Sequence, residues 1–304
     1  MKSKEKLGFN SEENNTDRLV DDIYTKAISD HRVLGEIPEA EVKSFVKDVI
    51  EEMNLLEKIG ERDKRLVDLP NEVIKDIEVI WVFSGPGTYD RPVKEDRYKD
   101  YPWARGMDRA RLNYAAQLAR KITMARTNED FKSPLSAIEK TKQLTKKAIL
   151  ESGPYVIYNG TAEENENIKE VLTREGVIMP PEKVIIIEEP IEKTVDQIKT
   201  FKLPEGINMT NKEIAVVSHA PHLSRIVRMI NRYKPFPPDT KIRLFPLATP
   251  DEGKKEYAQN EAIGLLYYIY VSDDHDAVEE PYHYKINIPE NGESFGDDVK
   301  LKSD

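Results

Sequence analysis

The chain has 304 residues, with 46 Lys plus Arg against 56 Asp plus Glu, a formal charge of −10 and no cysteine. The lack of cysteine excludes disulfide scaffolds, thiolate catalysis and zinc sites built on cysteine. An acidic balance without a dense basic stripe argues against a protein that binds nucleic acid through its phosphates. We therefore expect the partners to be small molecules or proteins, and not nucleic acid.

No apolar stretch approaches the roughly 18–20 residues that a membrane span needs. The longest apolar runs are Val79–Phe83, Ile214–Val217 and Ile263–Val271. Residues 1–17 are charged and polar and lack the apolar core of a secretory signal. The sequence predicts a cytoplasmic protein without membrane contact.

Residues 1–75 are predicted to be an N-terminal helical extension. One apolar stripe with helical spacing covers Leu19–Ile28, and a second covers Val42–Leu56 and stops at Gly60. The charged residues up to about position 17 are predicted to be loose. Both stripes indicate helices that pack on a neighbour, so the extension is either a cap or a surface for a protein partner.

From residue 76 to 272, short β-branched runs alternate with helical patterns, a rhythm typical of βαβ units. We predict an α/β fold that is Rossmann-like and doubly wound, with a mainly parallel sheet of about five strands and helices on both faces. The predicted strands are Ile77–Phe83, Tyr155–Tyr158, Val184–Ile187, Ile214–Val217 and Ile242–Phe245. The predicted helices are Met107–Met124, Ala137–Ile149, Ala162–Arg174, Thr194–Phe201, His222–Arg232 and Asp251–Tyr270.

Two of these helices have a marked start. The four-residue segments Thr161–Glu164 and Thr249–Glu252 both have the pattern of a capping box. Residues 273–304 are predicted to be an acidic, partly disordered tail, in which the alternation over Tyr282–Ile288 indicates a late edge strand.

Ligands of doubly wound sheets bind beyond the carboxyl ends of the strands. The first predicted strand is followed by Ser84, Gly85, Pro86 and Gly87. Their backbone N–H groups are candidates to bind an anion, although a plain tight turn is the alternative. The dinucleotide fingerprint is incomplete, because Asp90 stands at its third glycine position. The following loop, residues 88–105, carries aromatic residues and arginines and is either a lid or a mobile insert.

Arg111 shares the apolar stripe of the helix predicted after this loop, together with Ala115 and Leu118. A buried arginine needs an anionic partner. That partner is either an internal carboxylate, such as Glu188 or Glu189, or a bound ligand.

The second and third predicted strands also end in polar residues. Asn159, Gly160 and Thr161 form a corner that is either an anion cradle or a helix cap. The carboxylate of Glu189 is suited to contact a ribose hydroxyl, to act as a base or to bind a metal. Thr194 follows at the start of the next predicted helix.

The densest polar cluster, Ser218, His219, His222 and Arg225, follows the fourth predicted strand. Its imidazole and guanidinium groups are placed to face one cleft. A histidine pair with a glutamate for a divalent metal is one alternative, and a capping serine beside a structural histidine is another. A Ser–His nucleophile pair is disfavoured, because no Gly-x-Ser-x-Gly elbow surrounds Ser218. We assign no residue as a metal ligand.

Taken in order, these motifs resemble the YdcF/SanA/ElyC-like family of bacterial proteins. The resemblance covers about residues 77–232 and rests on Ser84 to Gly87, Arg111 with Ala115 and Leu118, Asn159-Gly160, Glu189 with Thr194 and Gln197, and His222 with Arg225. It implies a Rossmann-like fold with a polar cleft at the strand ends. Some members of that family are similar to S-adenosylmethionine binders, and others are membrane-anchored proteins linked to cell-envelope biogenesis.

The chain departs from the family pattern at three points. The second strand of the family usually ends in Ser-Gly-Gly, where this chain has Asn159-Gly160-Thr161. His219 is additional to the His-x-x-Arg motif, and the anchoring helices of the envelope members are missing.

The sequence thus predicts a nucleotide-like or phosphorylated small molecule bound at the strand ends. Ser84, Gly85, Gly87, Arg111, Asn159, Gly160, Thr194, Ser218 and Arg225 are the predicted ligand-binding residues. If the protein is a hydrolase or transferase acting on a phosphoester-type bond, the candidate catalytic residues are His222, His219 and Glu189. The alternative is a non-catalytic sensor of S-adenosylmethionine or a nucleotide that acts on a protein partner. A methyltransferase is less favoured, because the first post-strand loop lacks a Gly-x-Gly-x-Gly pattern. A divalent metal is a further candidate cofactor.

Overall fold

The computed structural model describes residues 10–63, 66, 69–85, 102–104, 106–128, 139–166, 168, 172, 179–189 and 191–286. Its strands are β1 (Ile77–Phe83), β2 (Tyr155–Asn159), β3 (Val184–Ile186), β4 (Glu213–His219), β5 (Lys241–Leu247) and β6 (Tyr284–Lys285). They form one sheet in the order β3-β2-β1-β4-β5-β6, and every neighbouring pair is parallel. The predicted fold class is confirmed, and the late edge strand is present as β6.

The described α-helices are α1 (Asn10–Asp30), α2 (Glu39–Arg62), α3 (Asn71–Ile74), α4 (Met107–Thr127), α5 (Glu139–Ser152), α6 (Ala162–Asn165), α7 (Thr194–Lys199), α8 (Ala220–Tyr233) and α9 (Lys254–Leu266). Short 3₁₀ turns lie at Arg32–Glu36, Pro102–Ala104, Pro181–Lys183 and Asp251–Gly253, and a π-helical turn, Tyr267–Val271, follows α9. None of these helices is long and apolar enough to cross a membrane.

Alternation along β1 creates the two cores of the fold. Val79, Trp81 and Phe83 belong to one buried cluster, with residues from α7, α8 and α9, while Ile80 and Val82 belong to the other, with residues from α4. Side chains of a strand point alternately to the two sheet faces, so a strand that is apolar at every position is covered on both sides. This explains why compact apolar runs predicted the strands.

The N-terminal helices belong to one of the two helix layers. Ile23 of α1 and Val46 of α2 are buried in the same core as α8 and α9. Gly60 of α2 lies so close to the chain after β5 that a Cβ there would be 2.7 Å from the backbone nitrogen of Ala248. The prediction that residues up to about 17 are loose is wrong from Asn10 onward, because α1 begins there.

One of the two predicted capping boxes is present. The Thr161 hydroxyl accepts from the Glu164 amide, and the Glu164 carboxylate accepts from the Thr161 amide at 2.8 Å. The second is wrong, because Thr249 contacts Glu57 of α2 instead, and its amide donates to that carboxylate at 2.9 Å. A long-range partner has thus replaced the local one.

Candidate functional site

The strand order places the switch point of the sheet between β1 and β4. The chain winds outward from β1 through β2 to β3 and then crosses back to β4, which pairs with the other edge of β1. The carboxyl ends of β1 and β4 therefore diverge into the crevice where doubly wound proteins bind ligands. Ser84 and Gly85 lie at one end, and Ser218 and His219 lie at the other.

Arg111 of α4 is fully buried behind this crevice. Its Nε donates to Nδ1 of His219 at 2.9 Å, Nη1 donates to the Phe83 carbonyl at 2.9 Å, and Nη2 donates to the Tyr257 hydroxyl at 3.2 Å. All three acceptors are neutral, and in the described part of the chain no carboxylate forms an ion pair with Arg111. Of the two alternatives that the sequence left open, an internal carboxylate such as Glu188 or Glu189 is wrong, and a bound ligand stays a prediction.

Gly85 is packed directly against this guanidinium. A Cβ at Gly85 would lie 2.1 Å from Nη1 of Arg111. No real Cβ contact is that short, so the position requires glycine as long as the arginine keeps its place. The buried positive charge therefore lies immediately behind the turn that follows β1.

Asp108, in the first turn of α4, does not neutralise that charge. It is buried, its Oδ2 accepts from the Tyr158 hydroxyl at 2.7 Å, and its Oδ1 has no hydrogen-bond partner among the described residues. Burial, followed by the nearby charge of Glu164, raises the pKa of Asp108 to about 8. The carboxyl is then mostly protonated at pH 7, which leaves Arg111 as a cation among neutral groups.

His219 lies beside Arg111 as a neutral imidazole. Burial, and then the charge of Arg111, lower the pKa of His219 well below its usual value. Since an arginine nitrogen can only donate, Nδ1 of His219 must accept, and the ring proton lies on Nε2. That Nε2–H has no hydrogen-bond partner among the residues that the structure describes.

His222 has both ring nitrogens engaged. Nδ1 is 3.1 Å from the Ser218 hydroxyl, and Nε2 is 3.1 Å from the Thr194 hydroxyl. Burial, and then the charge of Arg225, lower the pKa of His222 well below its usual value. The two predicted histidines therefore differ, since His219 keeps a free donor while His222 is held by two hydroxyls.

A polar network joins β1 and β2 to α7. Gln197 donates to the Ser84 hydroxyl at 2.6 Å and accepts from the Ser84 amide at 3.1 Å. Asn159 accepts from Trp81 Nε1 at 3.2 Å and donates to the Gln197 carbonyl at 2.7 Å. Asn159 is a predicted ligand contact, but its side-chain amide already forms hydrogen bonds within this network. The network fixes Ser84 at the crevice.

A small cavity of about 50 Å³ lies at this convergence. The cavity is lined by the residues that follow β1 and β2, by the start of α7 and by several charged side chains. The lining residues are Ser84, Gly85, Thr161, Glu164, Ile191, Glu192, Lys193, Thr194, Gln197, His222, Arg225 and Glu261. A water molecule needs roughly 10–15 Å³ in such a measure, so the cavity holds about four waters or one small oxyanion. It does not hold a whole nucleotide.

The charged side chains that line this cavity differ in whether they already have a partner within the protein. Arg225 is bound by two hydrogen bonds to Glu261 of α9, at 2.7 and 3.2 Å, and both side chains are largely buried. Glu164 caps α6. Lys193 is exposed and forms no ion pair with any described residue.

Of the twelve predicted site residues, five line this cavity, namely Ser84, Gly85, Thr194, His222 and Arg225. Six other described ones do not, namely Glu189, His219, Arg111, Asn159, Gly160 and Ser218. Glu189 is exposed and forms an ion pair with Lys202, and it does not line the cavity. Gly87 lies outside the described residues, as does most of the predicted lid loop. Within that loop, Trp103 is described: it packs 5.6 Å from the ring of Tyr257, and its Nε1 donates to Glu256 at 3.1 Å.

Several residues of the site were missed by sequence reasoning, chiefly Asp108, Tyr158, Tyr257 and Glu261. Glu261 carried a detectable signal, because it opens the apolar run of α9, where a buried carboxylate needs a partner. The two tyrosines carried none, since they contact Asp108 and Arg111 only through the tertiary fold. Among the described residues, no group of three His, Asp or Glu side chains is arranged to hold a metal ion.

No family model matches this chain, and neither a curated protein nor a solved structure matches it.

Proposed function

We propose that the protein binds a phosphorylated or nucleotide-like small molecule whose anionic group occupies the cavity at the carboxyl ends of β1, β2 and β4. The observation that carries this proposal is the buried guanidinium of Arg111, which has only neutral hydrogen-bond acceptors and lies against Gly85 of the cavity wall. A buried cation without a carboxylate is costly, and a bound anion offsets that cost.

The remaining lining supports an anion that also carries hydroxyl groups. Lys193 supplies a second positive charge, which forms no ion pair with a described residue, and Ser84 and Thr194 supply hydroxyl donors. Glu164 takes the place that the sequence suggested for Glu189, since its carboxylate lines the cavity and is suited to accept from a ligand hydroxyl. The resemblance to the YdcF/SanA/ElyC-like family supports the same location in the fold.

Hydrolysis or transfer at a phosphoester-type bond is the activity we propose for this site. Its support is the contact between the Thr194 hydroxyl and Nε2 of His222 at the cavity wall, because a neutral imidazole beside a hydroxyl is the arrangement that activates a nucleophile. His222→Ala is then expected to abolish turnover while a phosphorylated ligand still binds.

A non-catalytic sensor of a nucleotide or S-adenosylmethionine is the second candidate. The observation that favours it is that both nitrogens of His222 already have partners, which suits a structural histidine. In a sensor, no substrate would be turned over by the wild type, and His222→Ala would change stability alone.

Thermal denaturation with candidate ligands tests the binding proposal. Nucleotides, sugar phosphates, inorganic phosphate, S-adenosylmethionine and divalent metal salts are compared, since a ligand at 100 times its dissociation constant adds about 2.7 kcal/mol to stability. Lys193→Ala is expected to weaken a phosphorylated ligand roughly fivefold, equivalent to about 1 kcal/mol. The matched control is Lys241→Ala, an exposed lysine at the amino end of β5, on the opposite edge of the sheet.

If no phosphorylated ligand raises the melting temperature, the proposal is wrong. It is also wrong if Lys193→Ala and Lys241→Ala weaken the ligand equally, because the effect is then one of overall charge and not of the cavity.

A further inference from the structure

A second and larger cavity lies on the other side of the Arg111–His219 pair. This groove has a volume of about 640 Å³ and opens at the carboxyl ends of β4 and β5. Its walls are the end of α2 at Gly60, the first half of α4, and the chain from Leu247 to Asp251. Its volume is within the usual range of about 300–1,000 Å³ for small-molecule sites.

The groove is lined by a histidine whose Nε2–H has no hydrogen-bond partner among the described residues. His219 lines the groove and is only 3% exposed. Its Nδ1 is occupied by Arg111, so its proton is on Nε2, and no described residue accepts that proton. A donor that lines a groove is available to a ligand acceptor, with water in that place when no ligand is bound.

Two amide side chains lie on the helix face that borders the same groove. Asn113 and Gln117 are one turn apart on α4 and both line the groove. Neither amide forms a hydrogen bond with any residue in the described ranges. Each presents a donor and an acceptor together, which suits the edge of a heterocyclic base.

The charges at the rim of the groove are already paired. Lys254 forms ion pairs with Glu61 and with Asp251, the latter at 3.0 Å. The apolar side chains of Met107 and Leu247 complete the lining. The groove therefore favours a ligand portion that is uncharged, polar at its edges and apolar on its faces.

We propose that this groove binds the nucleobase of a nucleoside or nucleotide, with Nε2–H of His219 donating to a ring acceptor and the amides of Asn113 and Gln117 contacting the base edge. The groove and the anion cavity share no lining residue, so this inference goes beyond the proposed function and does not require one ligand to reach both.

Binding of unphosphorylated nucleosides tests the groove separately from the anion cavity. Adenosine, guanosine, cytidine and uridine are titrated calorimetrically into the wild type, and inorganic phosphate is titrated in parallel. At least one nucleoside is expected to bind. Asn113→Ala and Gln117→Ala are each expected to weaken it roughly tenfold, as the loss of a base-edge contact does, and to leave phosphate affinity unchanged.

The matched control is Asn54→Ala, which removes an exposed amide on α2 outside the groove lining. If no nucleoside binds, or if the Asn113 and Gln117 variants bind it as tightly as Asn54→Ala does, the inference is overturned, and phosphate binding decides the proposed function independently. If a nucleoside binds and is lost in those two variants while inorganic phosphate does not bind, the groove stands and the anion site fails.

Discussion

Gly85→Ala is the sharpest test of how the buried arginine is held. The added Cβ would lie 2.1 Å from Nη1, 2.4 Å from Cζ and 2.5 Å from Nη2 of Arg111, so the guanidinium has to move by about 1 Å or more. It has no exposed space to enter, because Arg111 is fully buried and tied to three acceptors. We expect at least two of those hydrogen bonds to break.

The expected loss in the free energy of unfolding follows from the hydrogen bonds that break. A hydrogen bond to a charged group contributes about 1.5–3 kcal/mol, so two losses cost about 3–6 kcal/mol. Replacing glycine by alanine also restricts the unfolded chain, and this raises the free energy of unfolding by about 0.4–1 kcal/mol. We therefore expect Gly85→Ala to lower the free energy of unfolding by about 2–6 kcal/mol.

Urea denaturation followed by circular dichroism measures this change. The matched control is Gly35→Ala, because a Cβ at Gly35 would have nothing within 4 Å, and we expect it to stay within about 1 kcal/mol of the wild type. A Gly85→Ala protein as stable as the Gly35→Ala protein would refute the close packing of Gly85 against Arg111.

Three further predictions concern the surroundings of the site. Gly60→Ala brings a Cβ to 2.7 Å from a backbone nitrogen after β5, so it should separate α2 from the sheet and lower the melting temperature, and an unchanged melting temperature would contradict the packing of the extension. In Asp108, a raised folded pKa means that stability is lost as pH rises from about 4, the unfolded value, to about 8. Asp108→Asn should therefore gain in melting temperature relative to the wild type as the pH rises from 5 to 8, and a constant difference would argue against a protonated Asp108. A double-mutant cycle on Arg225→Ala and Glu261→Ala, measured by urea denaturation, should give a coupling energy of about 1.5–3 kcal/mol, since both partners are largely buried, and additive effects would show that the pair is not coupled.

The fold was predictable from the sequence because its signals are local. Each central strand is an apolar run covered on both faces, and the helix that begins at Thr161 has a complete capping box. The second capping box failed because Glu57, 192 residues away in sequence, binds Thr249. No pattern within a few residues of Thr249 indicates such a partner.

The site was predictable only in part, because only some of its contacts follow from local sequence signals. Parallel strands bring their carboxyl ends to one edge, so the residues after each strand identified Ser84, Thr161 and His222 as neighbours. The partners of the charged groups depend on which helices pack together. For this reason the sequence left an internal carboxylate and a bound ligand open as partners of Arg111 and did not indicate its contacts with His219 and Tyr257. Glu189 was placed correctly at a strand end, yet its side chain points to the surface lysine Lys202.

The most direct test of the central claim is to map the backbone amide resonances of the wild-type protein by NMR during titration with inorganic phosphate and then with adenosine monophosphate. We expect saturable shifts at Ser84, Gly85, Thr161 and Thr194, where the cavity is lined by the ends of β1 and β2 and by α7. The absence of a saturable shift with either ligand, or shifts confined to residues away from the strand ends, would contradict that claim.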